Sequence, residues 1–451
     1  MIFALIVVPV LGLFFGVHRY LWCRLVRDTT KPGGRPRRAG TAAAFVLPLI
    51  ALAALLSGRA GAPFRVQQAL AWPGYLWLAM VLYLTLALLA GEAVRALGLW
   101  SLRRHERPET APGTTTAAAQ ATPSPPTTAA AQGTPSPPAT AAAQATPSPP
   151  TTASAQGTPS SPTLLPPGTP ALPPPPTPPR RLFLARAVAA GASLAATAAV
   201  GYGTATTLRG PVVKRVTIPL AKLPRAAHGY RIAVVSDIHL GPILGRAHTR
   251  RVVDAVNSTN PDLVAIVGDL VDGTVADLGP AAEPLRALHS RHGAYFVTGN
   301  HEYYAGADQW VDHVRELGIH PLENARTELP GFDLAGVNDI TGQTEQAGPD
   351  YDRALSGRDT SRPVVLMAHQ PVTIHDTVHF GVDLQLSGHT HGGQMWPLTY
   401  LAAATNPTVA GLQHYGDTQL YVTRGAGAWG PPVRLGAPPD ITLVELASLH
   451  A

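Results

Sequence analysis

The sequence predicts an α/β domain at residues 211–451, preceded by an N-terminal region of membrane helices. Hydrophobic residues make up 45% of the 451 residues and charged residues only 14%, whereas soluble globular chains carry about 25% charged residues. Long apolar runs fill much of the first 100 residues. Short strand-like runs between Val213 and Leu446 alternate, in their first half, with helix-like segments, which is typical of an α/β core.

The composition excludes several classes of protein. The one cysteine, Cys23, excludes an intrachain disulfide and a cysteine-based zinc cluster. The formal net charge is +6, and His18–Gly40 alone holds seven Lys and Arg against one Asp. The rest of the chain is therefore formally neutral. Because nucleic-acid binding needs a basic stripe on a folded domain, we expect no nucleic acid among the partners.

Residues 1–100 are predicted to contain three transmembrane helices. The apolar runs are Met1–Val17, Thr41–Ser57 and Trp72–Gly91, each close to the ~17–25 residues that a span needs. The first run lacks a positively charged start, which favours a membrane helix over a cleaved signal peptide. The alternative is a buried hairpin of a soluble protein, and three such runs in so short a region disfavour it.

The charges of the loops between these helices predict their orientation. The His18–Gly40 loop carries seven Lys and Arg, whereas the loop at residues 58–71 carries two, Arg59 and Arg65. Loops rich in Lys and Arg stay in the cytoplasm. We therefore expect a multi-pass protein of the cell membrane whose N-terminus lies outside and whose chain returns to the cytoplasm after Trp100.

Residues 101–179 are predicted to be a disordered linker. Thr110–Pro179 has no charged residue and carries a 12-residue repeat, for example TTAAAQATPSPP at Thr115–Pro126. A solenoid repeat buries an apolar face against its neighbour. These units offer only alanine and are broken by prolines, so the sequence favours a flexible, partly extended chain.

Residues 180–205 are predicted to form a fourth transmembrane helix or a signal anchor. Arg180 and Arg181 precede Leu182-Phe183-Leu184 and an alanine-rich apolar run. This start resembles a twin-arginine export signal, and plain anchoring by two positive charges is the equally supported alternative. Both interpretations place residues 211–451 outside the cell.

Five strand-like runs of the second half end in polar side chains suited to metal binding. In α/β sheets, ligands bind at the carboxyl ends of the strands. We therefore expect these side chains to converge at one edge of the fold. The candidate metal ligands are Asp237, His239, Asp269, Asn300, His369, His389 and His391.

The chemistry of this ligand set favours two divalent cations. Carboxylate, amide oxygen and imidazole suit Mn, Fe, Zn or Co, and the lack of thiolates disfavours a structural zinc site. Seven ligands exceed what one ion with an open position uses. They suit two ions about 3.5–4 Å apart that share a carboxylate.

The same motifs carry a resemblance to a known family. In chain order they are Asp237-x-His239, Gly268-Asp269-x-x-Asp272, Gly299-Asn300-His301-Glu302, His369 and Gly388-His389-Thr390-His391. Over Pro211–Glu445 the chain resembles the calcineurin-like metallophosphoesterase superfamily. Gly392–Gln394 and Tyr421–Gly425 look like its membrane-associated bacterial branch, with enzymes similar to UDP-diacylglucosamine hydrolases and twin-arginine-exported phosphoesterases. The resemblance implies a two-sheet β-sandwich flanked by helices.

The resemblance also implies a role for each residue. Asp237, His239 and His391 would hold one ion, Asn300, His369 and His389 would hold the second, and Asp269 would bridge them. His301 would be the catalytic residue facing the phosphate, oriented by Asp272, while a hydroxide shared by the ions attacks phosphorus. Glu302 stands where the family often has Asp, a departure that leaves the ligands unchanged.

These expectations combine into one leading function and one alternative. The leading function is a membrane-anchored hydrolase of phosphodiester or pyrophosphate bonds, acting outside the cell on an envelope or lipid-linked substrate. The alternative is a non-catalytic metal-binding scaffold or sensor domain on a membrane anchor. The complete ligand set together with His301 favours the enzyme.

Overall fold

The computed structural model describes residues 2–105 and 180–450. Four long helices make up the N-terminal part of these residues. They are α1 (Ile2–Trp22), α2 (Arg35–Ser57), α3 (Phe64–His105) and α4 (Arg180–Arg209). Residues 106–179, most of the predicted linker, lie outside the described residues. The described parts of Met1–Gly98 and Pro178–Ala451 belong to one compact unit.

Three helical segments of the described chain are long and apolar enough to cross a membrane. They are Arg35–Ser57, Phe64–Val94 and Leu182–Arg209. They include the second, third and fourth spans that the sequence predicts. Helix α1 covers the predicted first span, Met1–Val17, of which Met1 and the side chains of residues 2–7 lie outside the described set.

Polar contacts identify which helix ends lie together. At one end, Nε of Arg24 lies 2.7 Å from Oε1 of Glu92, and Nε of Arg186 donates to the carbonyl of Thr29 at 3.0 Å. The end of α1, the later part of α3 and the start of α4 therefore meet. At the other end of α4, the carbonyl of Gly203 accepts from the backbone N–H of Arg434 at 3.0 Å.

Residues 211–450 fold into two six-stranded sheets. The first sheet has the order β1-β12-β2-β3-β4-β5, and the second has the order β10-β11-β9-β8-β7-β6. The strands are β1 (Val212–Leu220), β2 (Tyr230–Val235), β3 (Leu263–Val267), β4 (Ala294–Val297), β5 (His320–Pro321), β6 (Ala325–Leu329), β7 (Phe332–Gly336), β8 (Val364–Met367), β9 (Leu384–Ser387), β10 (Gly411–Tyr415), β11 (Thr418–Val422) and β12 (Asp440–Ser448).

Strand direction decides where the loops emerge. Strands β2, β3, β4 and β5 are parallel, and so are β7, β8, β9 and β11. Strand β12 is antiparallel to β2, and β6 and β10 form antiparallel hairpins with β7 and β11. The carboxyl ends of the parallel strands of each sheet therefore share one edge.

Shorter helices cover the sheets. They are α5 (Arg246–Asn257), α6 (Val275–Ala282), α7 (Asn300–Ala305), α8 (Ala307–Glu316), α9 (Tyr351–Leu355), α10 (Ile374–Thr377) and α11 (Leu398–Thr405). Side chains from both sheets, among them Val234, Leu334 and Leu386, fill the layer between them. Helices α5, α6 and α8 cover the other face of the first sheet, through residues such as Trp310. This is the mixed α/β sandwich that the sequence predicts.

Candidate metal centre

Every predicted site residue lies just beyond the carboxyl end of a parallel strand. Asp237 and His239 follow β2, and Asp269 follows β3. Asn300 and His301 open α7 directly after β4. His369 follows β8, and His389 and His391 follow β9. All eight side chains belong to one contiguous site, and strands of both sheets contribute to it.

A first group of ligand atoms is formed by Asp237, His239 and His391, and all three residues are buried. The two Nε2 atoms of the histidines are 2.9 Å apart. Oδ1 of Asp237 lies 3.3 Å from Nε2 of His391 and 4.0 Å from Nε2 of His239. Three potential ligand atoms thus surround a single point.

A second group is formed by Asp269, His369 and His389. Oδ2 of Asp269 lies 3.2 Å from Nε2 of His369, and Nδ1 of His389 lies 3.1 Å from Oδ1 of Asn300. The same Asp269 oxygen is 3.7 Å from Nε2 of His239 in the first group. Asp269 therefore lies between the two groups.

A hydrogen bond on the far side of the His369 ring tests whether a cation fits. Nδ1–H of His369 donates to the carbonyl of Val267 at 2.8 Å, so Nε2 of the ring faces Asp269. Nε2 of His369 is buried and makes no hydrogen bond. A lone pair that faces a carboxylate is stable only with a cation or a proton between them. The donor set therefore fits divalent cations.

The backbone at these positions is strained. Five predicted ligands have a left-handed φ, namely Asp237 (52°), His239 (48°), Asp269 (53°), His389 (72°) and His391 (54°). Such a conformation costs about 1–3 kcal/mol for a residue with a side chain and persists only where the surroundings impose it. Strain concentrated on chemically active residues marks this edge as a functional site.

Gly388 and Gly268 permit the close approach of the site loops. A Cβ atom at Gly388 would collide with the side chains of Ser236 and Asp237. A Cβ atom at Gly268, whose φ is +76°, would lie 2.7 Å from Nδ1 of His369. Both positions therefore require glycine.

Asp272 contacts two histidines of the site through one oxygen. Its Oδ1 lies 2.7 Å from Nδ1 of His239 and 2.8 Å from Nδ1 of His301. These contacts orient both rings, with Nε2 of His239 directed at the first group. The sequence predicts a contact with His301 only, so the contact with His239 is an addition.

Arg434 is a site residue that the sequence does not reveal. Its side chain is buried and donates to the backbone carbonyls of Gly427 and His391 at 2.8 and 2.7 Å. Its Nη2 also lies 2.9 Å from Nδ1 of His391. Arg434 thereby fixes the strained backbone that carries His391. It follows His391 by 43 residues in an irregular loop, where no periodicity or motif indicates its role.

Glu302 joins three loops of the site. Its carboxylate accepts from the backbone N–H groups of Asp269 at 3.0 Å, Leu270 at 2.8 Å and Gly299 at 2.6 Å. Burial and the nearby charge of Asp269 raise the pKa of Glu302 to about 7, while the backbone donors act in the opposite direction. Glu302 therefore holds the backbones of these loops together beside the proposed ligands.

The charges of the site push the histidine pKa values in opposite directions. Burial would lower the pKa of His239, but Asp272, Asp269 and Asp237 together raise it to about 9. Burial would also lower the pKa of His369, but the charge of Asp269 outweighs it and holds this pKa well above its usual value. Burial and Arg434 lower the pKa of His391, and burial and His369 lower that of His389. Each group thus pairs one proton-binding histidine with one neutral histidine.

A cavity of 390 Å³ opens beside the first group. It is lined by His239, Asp272 and His301. The exposed ring of Trp429 lies 5.8 Å from the ring of His301 and lines the same cavity. The cavity gives a ligand access to the site.

Comparison with known proteins agrees with this geometry. The profile of the calcineurin-like phosphoesterase family matches residues 230–393. A transmembrane protein with a metallophosphoesterase domain from Danio rerio is 40% identical over 259 residues, which are 54% of this chain and 59% of that protein. The chain spans about three fifths of the length of this relative and of a similarly named Bos taurus protein.

Two bacterial relatives are matched over almost their whole length. An uncharacterized metallophosphoesterase from Aquifex aeolicus is 34% identical over 239 residues, covering 52% of this chain and 91% of that protein. Another from Bacillus subtilis is 30% identical over 285 residues, covering 60% of this chain and 98% of that protein. The chain therefore belongs to the calcineurin-like phosphoesterase family.

Proposed function

We propose that this chain is a membrane-anchored hydrolase of phosphodiester or pyrophosphate bonds that uses two divalent cations, Mn, Fe, Zn or Co. The observation that carries the proposal is the pair of ligand groups linked by the buried Asp269. Asp237, His239 and His391 would hold one cation, and Asn300, His369 and His389 the other. Asp269 would contact both.

Bound cations would supply Lewis-acid activation of water and neutralisation of the phosphoryl oxygens. The protein itself supplies a proton donor. His301 borders the cavity, and the contact of its Nδ1 with Asp272 leaves Nε2 free to reach a substrate. In this position His301 would donate a proton to the leaving oxygen, or hydrogen-bond to the charge that develops there.

The arrangement of helix ends supports the expected topology. The segment at residues 18–40 carries seven Lys and Arg and includes the end of α1 and the start of α2. It adjoins the start of α4, whereas the α2–α3 turn (residues 58–63) borders the catalytic cavity. If the 18–40 segment is cytoplasmic, the catalytic domain lies on the outer face. A substrate of the envelope, or one linked to a lipid, would be within reach there.

The test is hydrolysis of bis-p-nitrophenyl phosphate and p-nitrophenyl phosphate by the full chain in detergent micelles, with Mn, Fe, Zn, Co or a chelator. Asp269→Asn and His301→Ala are compared with the exposed control variants Asp308→Asn and His289→Ala. We expect metal-dependent turnover that only the first two variants abolish. Stoichiometric metal binding without turnover of either ester would instead favour the metal-binding scaffold.

A further inference from the structure

The cavity beside His301 has a second wall that is built by the membrane helices. Leu55 and Arg59, from the end of α2 and the turn after it, line the cavity, as do Phe64 and Tyr75 of α3. We call these four residues the hairpin wall. They line the same cavity as His239, Asp272 and His301. A ligand in the cavity would therefore contact membrane helices and catalytic residues at once.

The hairpin wall is firmly attached to the phosphoesterase domain. Phe64 packs against the hydrophobic core beneath α5, α6 and α8. Helices α2 and α3 approach each other closely at Gly74, where a Cβ atom would lie 2.6 Å from Cβ of Ala54. Close packing on both sides fixes the position of the turn relative to the cavity.

Arg59 gives this wall a positive charge. It is the one lysine or arginine among the described residues that line the cavity. Within the described chain, no hydrogen bond or ion pair occupies its guanidinium, and its side chain is exposed. A guanidinium in the same cavity lining as His301 suits an anionic ligand such as a phosphoester.

Leu55 and Phe64 give the same wall an apolar character. Leu55 is 42% exposed, and it continues directly into the apolar surface of α2. The volume of 390 Å³ falls at the lower end of the range of small-molecule sites, about 300–1,000 Å³. It admits a phosphoryl group and the first part of an alkyl chain, so the rest of a long chain would continue along the apolar surface of α2.

The surface around the cavity resembles the interfacial zone of membrane proteins. The exposed side chains of Tyr304 and Trp429 line the cavity. Trp396 and Tyr400 are also exposed, and they flank Leu398, which packs with the membrane helices. Exposed aromatic side chains of this kind concentrate at the level of lipid headgroups. The cavity therefore opens where the headgroup of a membrane amphiphile would lie.

We propose that the hairpin wall is part of the active site, and that it selects a phosphodiester carrying one long apolar chain within the same membrane. Arg59 binds the phosphoryl oxygens, and Leu55 with Phe64 contacts the first carbons of the chain. This inference rests on the proposed function, because it assumes that the strand-end site hydrolyses phosphoesters.

The experiment compares two esters in identical detergent micelles, hexadecyl p-nitrophenyl phosphate and methyl p-nitrophenyl phosphate, with the full chain and its activating metal. We expect kcat/KM for the hexadecyl ester to exceed that for the methyl ester about tenfold, through burial of the chain. Leu55→Ala should reduce this preference about threefold. Arg59→Gln should raise KM about tenfold for both esters and leave kcat nearly unchanged.

Two neighbouring variants serve as matched controls. Leu56 is 49% exposed and Arg65 is exposed, yet neither lines the cavity. Leu56→Ala and Arg65→Gln should therefore behave as the unaltered chain. If Leu55→Ala and Arg59→Gln match their controls in kcat and KM while both esters are hydrolysed, the hairpin wall is not part of the active site. The proposed function would still stand. If neither ester is hydrolysed with any metal, the proposed function fails and this inference fails with it.

Discussion

The two ligand groups of the candidate metal centre are oriented by different means. In the first group, charged side chains hold the histidines, with Asp272 at the ring of His239 and Arg434 at the backbone carbonyl of His391. In the second group, the backbone carbonyl of Val267 holds His369, and His389 faces Asn300, which is itself a proposed ligand. Single substitutions of supporting side chains should therefore disturb the first group much more than the second.

The largest expected effect is that of Asp272→Asn. The variant weakens the contacts that orient His239 and His301. Because one ring is a proposed ligand and the other the proposed proton donor, we expect kcat/KM to fall about 1,000-fold. Metal content after dialysis should fall by one ion per chain. Turnover and metal content of this variant are measured beside those of Asp308→Asn. If the variant retains two ions, Asp272 does not support the first ligand group as described.

Arg434→Met should have the next largest effect. The variant removes the hydrogen bonds that fix the backbone of His391, so we expect the affinity for one of two cations to fall about 10–100-fold. Arg434→Lys, which keeps the charge, should recover part of the loss. Metal titration of both variants and of the exposed control Arg250→Met measures the affinity for each cation. An equal loss at both cations would show that the groups are not independent.

Metal binding should release protons from the two histidines with raised pKa values. Because His239 has a pKa of about 9 and the pKa of His369 is also raised, both rings carry a proton at pH 7 in the metal-free protein. Cations bind only the neutral rings, so affinity should weaken about tenfold per pH unit as pH falls below the His239 pKa of about 9, and more steeply below the raised pKa of His369.

Calorimetry in buffers of different ionisation enthalpy counts these protons. We expect about two protons released at pH 7 from the unaltered chain, and about one from Asp272→Asn, because Asp272 contributes to the raised pKa of His239. Release of two protons from the variant would show that Asp269 and Asp237 suffice to hold the proton on His239.

Glu302→Gln should have a smaller effect, because Glu302 contacts the second group only through the backbone N–H of Asp269. An amide can accept through one oxygen only, so at least one of the three backbone donors loses its partner, at about 1–3 kcal/mol. Denaturant unfolding of the metal-free chain, beside the exposed control Glu345→Gln, measures the change in free energy. An unchanged free energy of unfolding would remove Glu302 from the support of the site.

Local sequence patterns suffice for much of this fold. Buried strands such as Leu263–Val267 are continuous apolar runs, and the polar residues that follow them stand at predictable sheet edges. The hairpin of β6 with β7 escaped prediction, because strand β6 is only partly buried and its polar residues lack a clear period-two pattern. The proposed ligands were found because their motifs are short and local.

The supporting residues of the site could not be found in the same way. Arg434 and Glu302 act through backbone groups that are distant in sequence, and backbone partners leave no pattern in the residues that provide them. The cavity brings Arg59 and His301 into one lining although about half of the chain separates them in sequence. Such contacts depend on tertiary packing, which apolar periodicity does not encode.

The left-handed backbone at the ligand positions restricts how this domain can change in evolution. Asn, Asp and Gly tolerate a positive φ, whereas β-branched residues do not. A descendant that loses its cations can thus accept Asn or Gly at Asp237 or His391 and still fold, but Val or Ile there would break the loops. Inactive copies of this domain should carry Asn, Asp or Gly at those two positions.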